Sequence, residues 1–209
     1  VAQDPVPEVL VGHTGQVRDL LFTTVPGQLS LMSAGDDRSI RLWDLRDLEN
    51  PVPGEIITGH QDDINAITTS PDGSRFVSAS SDDTVRVWYW NQLDAGPWSR
   101  QGHDQEMEAV AFSNDGQLMA TANADSKVLL WNVSDPDDPQ VGPNFPHEGK
   151  PVAVAFHPEG GILATATTAG NGQILLWDLS NRSIIRQFST GQGSRIAFLS
   201  FAAGGRYLA

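Results

Sequence analysis

Short segments in which apolar and polar residues alternate recur along the chain, and each of them ends in a tryptophan. An alternation of period two predicts β-strands, and clusters of Gly, Pro and Asp interrupt the pattern too often for long helices. The four segments end at Trp43, Trp88, Trp131 and Trp177, which are 45, 43 and 46 residues apart. This spacing predicts an all-β protein that is built from a repeated unit.

Each unit is predicted to contain four strands, a to d. A Gly-His pair opens the first three units, at Gly12-His13, Gly59-His60 and Gly102-His103. A turn with glycine then follows strand a, since glycine tolerates the positive φ values that reverse the chain. In the second unit the pattern places the strands at about 64–69, 75–80, 84–90 and 97–101.

A period of about 43 residues, with Gly-His near its start and Trp-Asp at its end, resembles the WD40 family. The resemblance covers nearly the whole chain and rests on four units in register. It implies a WD40-type β-propeller, in which four-stranded blades surround a central channel. We expect four full blades and an incomplete fifth, as a fragment of a larger propeller of about seven blades.

The expected divisions follow the Gly-His pairs. They are 1–11 (an outer strand, at 9–11, of another blade), 12–58, 59–101, 102–146 and 147–189 (repeats 1 to 4), and 190–209 (a truncated repeat 5). In the fifth repeat we expect strand a at 195–201 and part of strand b at 205–209. The ring would then need further blades, from the same protein or another chain, to close.

Composition narrows the function. The 209 residues carry 13 Lys and Arg against 26 Asp and Glu, a net charge of −13, and no cysteine. The acidic balance argues against nucleic-acid and anionic-membrane partners, and the lack of cysteine excludes disulfides and thiolate metal sites. No apolar run approaches the ~18 residues of a membrane span, and no leader-like segment is present, so we expect a cytoplasmic protein.

The resemblance also implies a hydrogen-bond network of His, Ser or Thr, Asp and Trp within each blade. The corresponding sets are His13, Ser33, Asp37 and Trp43; His60, Ser78, Asp82 and Trp88; His103, Thr121, Asp125 and Trp131; and His147, Thr165, Asn171 and Trp177. In the fourth set neutral Asn171 replaces the carboxylate, and a weaker network with a looser turn is expected. In the first three sets the hydroxyl residue lies four positions before the Asp, and the Asp lies six positions before the Trp.

Ser, His and Asp together also suggest a hydrolase. A nucleophilic triad, however, needs one exposed serine beside an oxyanion hole, whereas this set recurs in three successive units with an indole attached. We therefore expect a structural network and no catalytic residue.

The family pattern places exposed residues at the top face, where the d–a and b–c loops lie, three and five positions after the His and one before the Asp. Carried over, these are Gln16, Arg18, Asp36, Asp63, Asn65, Ser81, Glu106, Glu108, Ala124, Lys150, Val152, Gly170 and, in the fifth unit, Arg195. Blades 2 and 3 then present acids without a base of their own. This predicts a patch for a basic segment, with an ordinary solvated surface as the alternative.

The remaining features of the sequence give less information about function. Trp90 and Trp98 are expected to pack between blades rather than to bind a partner. The acidic connector with Asp135, Asp137 and Asp138 fits no calcium loop. No metal pair and no phosphate-binding loop stands out, so no cofactor is expected.

These observations favour a non-catalytic scaffold or sensor that binds a protein or peptide, a basic one among the candidates, over the top face. The loop style resembles bacterial WD40 regions attached to STAND-type NTPases or Ser/Thr kinases, which suggests a role in signalling. Two alternatives stay open: a propeller enzyme that uses Asp63, Glu106, Glu108 and Lys150 at the channel mouth, and a structural domain that restrains an attached effector.

Overall fold

A computed structural model describes residues 9–25, 27–93, 96–100, 105–135, 138–169, 172–191 and 196–209, without the side chains of Val25, Trp98 and Arg100. The described residues form four antiparallel sheets of four strands and one sheet of two strands. This confirms the predicted all-β fold of propeller blades. Among the described residues, no helix has the length and apolar character that crossing a membrane requires.

Each sheet is one blade, with its strands in chain order from the inside outwards. Blade 1 contains β1 (Val17–Val25), β2 (Gln28–Gly35), β3 (Ser39–Asp44) and β4 (Val52–Thr58). Blade 2 contains β5 (Ile64–Thr69), β6 (Arg75–Ser80), β7 (Val85–Tyr89) and β8 (Trp98–Arg100). Blade 3 contains β9 (Met107–Phe112), β10 (Leu118–Asn123), β11 (Lys127–Asn132) and β12 (Gln140–Pro146). Blade 4 contains β13 (Pro151–Phe156), β14 (Ile162–Thr167), β15 (Gln173–Asp178) and β16 (Ile184–Ser189).

The fifth unit is shorter than the sequence predicts. It forms only β17 (Phe201–Ala202) and β18 (Tyr207–Leu208), which pair at two positions. The expected outer strand at 9–11 is not formed either, and Val9 and Val11 are exposed. A strand needs a ladder of backbone partners, and no strand of the described residues pairs with 9–11, while the ladder of the fifth unit ends at the backbone hydrogen bonds between Ser200 and Ala209.

The hydrophobic core lies between successive blades, because the innermost strands β1, β5, β9 and β13 contact one another in that order. The register shows this directly: Leu20, Ile67, Val110 and Val154 each lie opposite the network hydroxyl of their blade. Ile67, Val110 and Val154 are 5%, 8% and 7% exposed, whereas Leu20 is 59% exposed. The free face of blade 1, which contains Leu20, therefore corresponds to the faces of blades 2, 3 and 4 that are buried at the three junctions.

Aromatic side chains fill these junctions. Phe145 on β12 is fully buried and meets the edge of Trp177 in blade 4, with ring centroids 5.3 Å apart. Trp90 packs on Phe76, with centroids 4.5 Å apart, in the cluster that also contains Trp88. Trp90 therefore has the packing role that its position predicted, while the side chain of Trp98 lies outside the described part of the chain.

Candidate functional site

The His, Ser, Asp and Trp of blade 1 form one connected chain of hydrogen bonds. The Trp43 indole N–H donates to Ser33 Oγ at 2.9 Å, and Ser33 Oγ lies 2.7 Å from His13 Nε2. His13 Nδ1 lies 2.9 Å from both carboxylate oxygens of Asp37. Because the carboxylate can only accept, the geometry assigns the proton of the neutral imidazole to Nδ1, and Ser33 donates to Nε2.

Blade 2 repeats this arrangement with nearly the same distances. Trp88 donates to Ser78 at 2.8 Å, Ser78 lies 2.7 Å from His60 Nε2, and His60 Nδ1 lies 2.8 Å from Asp82 Oδ2. Burial lowers the pKa of His60, although the hydrogen bond to Asp82 opposes this. The imidazole is therefore neutral, which lets Nδ1–H donate to Asp82 while Nε2 accepts the hydroxyl of Ser78.

Each carboxylate is satisfied by more donors than the sequence pattern indicated. Asp37 also accepts the backbone N–H of Thr14 at 3.0 Å and the hydroxyl of Ser39 at 2.7 Å. Burial would raise the pKa of Asp37, but the hydrogen bonds from Ser39, His13 and Thr14 outweigh it and lower the pKa to about 2. The missed hydroxyl has a sequence signal, since it lies two residues after the Asp.

Asp82 has the equivalent partners in blade 2. Gln61 N donates to it at 2.9 Å, and Thr84 donates through both its backbone N–H and its hydroxyl. Burial opposes ionisation, but hydrogen bonds from His60, Thr84 and Gln61 lower the pKa of Asp82 well below its usual range.

In the first two networks an arginine two residues before the tryptophan, Arg41 or Arg86, lies beside the carboxylate, and the sequence analysis missed it. Arg41 Nε lies 3.9 Å from Asp37 Oδ2. Gly12 lies under this side chain: a Cβ there would be 2.9 Å from Arg41 Nη1 and 3.0 Å from the Trp43 ring. The glycine before His13 is therefore required by close packing of the arginine and the indole.

Blades 3 and 4 lack this arginine, because Leu129 and Leu175 stand two residues before their tryptophans. In blade 3 the Trp131 indole donates to Thr121 at 2.8 Å, and Lys127 Nζ lies 3.4 Å from Asp125 Oδ2, while His103 lies outside the described residues. In blade 4 the Trp177 indole donates to Thr165 at 2.9 Å, and His147 Nε2 lies 2.8 Å from the same hydroxyl.

The histidine of blade 4 has a different acceptor. Its Nδ1–H donates to the backbone carbonyl of Phe145 at 2.7 Å. Asn171, which the sequence places at the Asp position, lies outside the described residues. Burial lowers the pKa of His147 to about 4, so this imidazole too is neutral at pH 7.

None of these hydroxyls is accessible to a substrate. Ser33 is 2% exposed, and Ser78, Thr121 and Thr165 are fully buried. Each also accepts the indole N–H of its own blade. A nucleophilic hydroxyl has to face a space that a substrate can enter, and these four hydroxyls do not.

Five of the expected top-face residues, one or two from each of blades 1 to 4, meet at one cavity, which lies at the channel mouth. This cavity, of about 360 Å³, lies between blades 1 to 4 and the fifth unit. It is lined by Gln16, Arg18, Asn65, Glu108, Val152, Ile196 and Ala197. Gly170 and Arg195 lie outside the described part of the chain.

Polar contacts between neighbouring blades run around this mouth. Arg18 pairs with Asp36 and places Nη2 3.6 Å from Asp63 Oδ2 in blade 2. Asn65 donates to the carbonyl of Met107 in blade 3 at 2.8 Å and to Ser81 at 3.0 Å. In each case the residue five positions after the histidine reaches the following blade.

Glu108 follows the same rule, because it forms an ion pair with Lys150 in blade 4. Two of the three acids of the expected patch, Asp63 and Glu108, thus have a base nearby, while Glu106 is exposed. Counting bases within blades 2 and 3 missed those that blades 1 and 4 supply. The mouth is therefore a mixed polar surface rather than an uncompensated acidic patch.

A further contact joins blades 1 and 2 beside the mouth. Asp19 accepts the backbone N–H of Ile67 at 2.8 Å and that of Leu20 at 2.8 Å. Burial raises the pKa of Asp19, although both hydrogen bonds oppose this. The sequence analysis did not identify this residue.

Comparison with known proteins decides the family. The model of the WD domain, G-beta repeat, matches residues 6–44, 52–89, 98–132 and 143–178. The chain belongs to the WD40 family. Among the described residues of this WD40 chain, no group of three or more His, Cys, Asp or Glu side chains is placed to hold a metal ion.

The similar proteins are WD40 proteins of different kinds. The chain is 39% identical over 79 residues to the human WD repeat and SOCS box-containing protein 1 and to its counterpart from Danio rerio. It is 35% identical over 89 residues to the ribosome biogenesis protein ytm1 of Aspergillus fumigatus. These segments cover 38–40% of this chain and 18% of each relative. The relatives are eukaryotic, so the bacterial setting stays a prediction.

Proposed function

We propose that this WD40 chain is a non-catalytic interaction module that binds a partner protein or peptide over the channel mouth. WD40 repeats generally mediate protein–protein interactions. The observation that carries the proposal is the convergence of four blades and the fifth unit on one cavity of about 360 Å³. The cavity is lined mainly by polar residues, which can fix the orientation of a bound partner.

The alternative of a propeller enzyme has less support. Asp63 and Glu108, which would act as acid or base at the mouth, lie beside Arg18 and Lys150. The Ser, His and Asp sets bury their hydroxyls. The groups whose pKa is strongly shifted, Asp37, Asp82 and His147, belong to the buried networks and not to the mouth.

The lining of the cavity indicates the kind of partner. Arg18, Asn65 and Glu108 provide one side, and Val152 and Ile196 provide an apolar side. Arg18 pairs with Asp36 and Asp63, and Glu108 pairs with Lys150. Because these charges are already compensated, a partner does not need a high charge of its own to bind there. A basic segment is the alternative, with the exposed Glu106 as its contact.

The same proposal includes further blades. Leu20 and Phe22 on β1 are 59% and 68% exposed, although Ile67 at the register position of Leu20 is 5% exposed. We infer that another blade, of the same protein or of another chain, covers this face. A cytoplasmic location and an attached signalling effector are further parts of the proposal, and they rest on composition and loop style alone.

The test compares two variants that each add one positive charge. Val152→Arg changes the channel mouth, and Asn114→Arg changes an exposed a–b turn at the other end of the blades. Proteins captured by the wild type are quantified against both variants, and melting temperatures are matched first. We expect capture of the specific partner to fall at least tenfold with Val152→Arg only. Equal capture by all three proteins, or equal loss in both variants, would contradict the proposal.

A further inference from the structure

The outer strand of blade 4 differs from the outer strands of the other blades. Each blade ends in an edge strand that pairs on one side only. Natural proteins protect such edges with proline, with bulges or by keeping the strand short, because an unpaired edge accepts foreign strands. β4 contains Pro53, β12 contains Pro143 and Pro146, and β8 has three residues.

β16 has no proline and is not short, and its protections are a one-residue register shift at Ile185 and one charged residue, Arg186. Its six residues, Ile-Ile-Arg-Gln-Phe-Ser, include no proline and no glycine. At the corresponding shift β4 has Gly54-Glu55 and β12 has Gly142-Pro143, whereas β16 presents an isoleucine that is 52% exposed. Ile184 and Phe188 are 48% and 41% exposed. Among the four described outer strands, β4, β8, β12 and β16, only β16 has six or more residues without proline.

A groove accompanies this edge. It has a volume of about 560 Å³ and is lined by Leu175, Trp177 and Gln173 of the neighbouring strand β15, by Arg182, Ile184 and Gln187, and, at its other side along the chain, by Pro146, His147 and the acidic Glu148. A strand added along β16 would project alternate side chains towards each face of the sheet. The groove on one of these faces offers such side chains an apolar contact.

The charge at the edge selects the chemistry of the added strand. Arg182 precedes β16 and Arg186 lies within it, although the chain as a whole has a net charge of −13. The Arg186 guanidinium lies 5.8 Å from the centre of the Phe188 ring. An acidic side chain across the edge from Arg186 would gain an opposite-charge pair.

We propose that β16 is a docking edge for an extended segment of a partner protein, in which apolar residues alternate with at least one acidic residue. The segment would join blade 4 as a fifth strand and bind mainly through its main chain. A second copy of this chain fits less well. Antiparallel pairing of two β16 strands over their full length would place Arg186 opposite Gln187 and would give it no opposite charge, and two chains of net charge −13 repel each other.

The experiment uses linear ten-residue peptides displayed on phage and the full chain as bait. Two matched variants add a lysine to an exposed apolar position of an edge strand: Ile185→Lys on β16 and Val141→Lys on β12, where Val141 is 54% exposed. Enriched peptides are synthesised, their Kd is measured by fluorescence anisotropy, and hydrogen exchange locates the protected amides.

We expect enriched sequences in which β-branched or aromatic residues alternate with Asp or Glu. Their Kd should rise at least tenfold with Ile185→Lys and stay unchanged with Val141→Lys and with Val152→Arg at the mouth. Arg186→Glu should reverse the preference to basic peptides, and exchange should slow at 184–189.

Three outcomes would overturn the proposal. One is the absence of any enrichment, and another is binding that ignores Ile185→Lys or protects a different segment. The third is concentration-dependent protection of 184–189 without peptide, which would make a second copy the occupant. Because Val152→Arg is included, failure at this edge is distinguishable from failure of the proposed function at the mouth.

Discussion

His147 donates its Nδ1–H to the backbone carbonyl of Phe145 at 2.7 Å, whereas His13 places the same atom 2.9 Å from the carboxylate of Asp37. The two blades thus hold the imidazole between a hydroxyl and an oxygen acceptor by different means. The carboxylate can stabilise a proton on the ring, but the carbonyl carries no charge with which to do so. The first prediction follows from this difference.

Protonation of His147 should destabilise blade 4 in mildly acidic solution. Burial lowers its pKa from 6.5 to about 4, so between these values the unfolded chain binds a proton that the folded chain does not. The free energy of unfolding should therefore be highest above pH 6.5 and fall by about 2 kcal/mol towards pH 4.5. Urea titrations at pH 4.5, 5.5 and 7 measure this slope.

His147→Gln should remove this part of the slope and leave the rest of the pH profile unchanged. Glu148→Gln changes an exposed neighbour and serves as the control. If His147→Gln and the wild type lose stability in parallel between pH 7 and 4.5, the burial of a neutral imidazole is not the cause.

Loss of the carboxylate in blade 2 should be costly. Asp82→Ala removes the acceptor of His60, Gln61 and Thr84 and should lower the free energy of unfolding by roughly 1–3 kcal/mol. The exposed Asp62 provides the matched substitution, Asp62→Ala, which we expect to stay within about 0.5 kcal/mol of the wild type. Equal melting temperatures for Asp82→Ala and the wild type would refute the network in this blade.

Much of the fold was predictable, because the period-two alternation and the recurring tryptophan belong to individual blades. In blade 2, β6 covers the predicted 75–80 and β7 lies within the predicted 84–90, and Ser33, Asp37 and Trp43 are joined through His13, as the resemblance implies. The acceptor of His147 was not predictable, since a backbone carbonyl leaves no trace in side-chain identity. The compensation of Asp63 by Arg18 joins two blades, so it depends on packing between repeats rather than on the repeat itself.

The least accurate strand predictions concern segments that have few or no strands beside them among the described residues. The expected strands at 9–11 and 195–201 have the apolar residues that a strand needs, yet pairing depends on a ladder partner that the pattern does not report. In the structure, exposed apolar side chains such as Val9, Val11 and Phe198 identify the segments that lack a packing partner, as Leu20 does on the free face of blade 1.

The contact between Asp19 and Ile67 should stabilise the junction of blades 1 and 2 through its hydrogen bonds rather than its charge. Burial raises the pKa of Asp19, so the charged form is disfavoured there. Asp19→Asn keeps an acceptor for the Ile67 N–H and should change the free energy of unfolding by less than about 0.5 kcal/mol, whereas Asp19→Ala should lower it by about 1–2 kcal/mol. A larger loss for Asn than for Ala would contradict this interpretation.

The fifth unit should depend on a close contact with blade 4. The His157 imidazole meets the edge of the Phe201 ring, with centroids 5.0 Å apart, and a Cβ on Gly205 would collide with that imidazole. Gly205→Ala should therefore open the β17–β18 hairpin, and amide exchange at 201–208 should accelerate at least tenfold. Gly204→Ala is the matched control, because Gly204 also has a positive φ, of 65°, but open space around its Cβ position. Equal acceleration in the two variants would assign the effect to backbone strain and exclude the contact with His157.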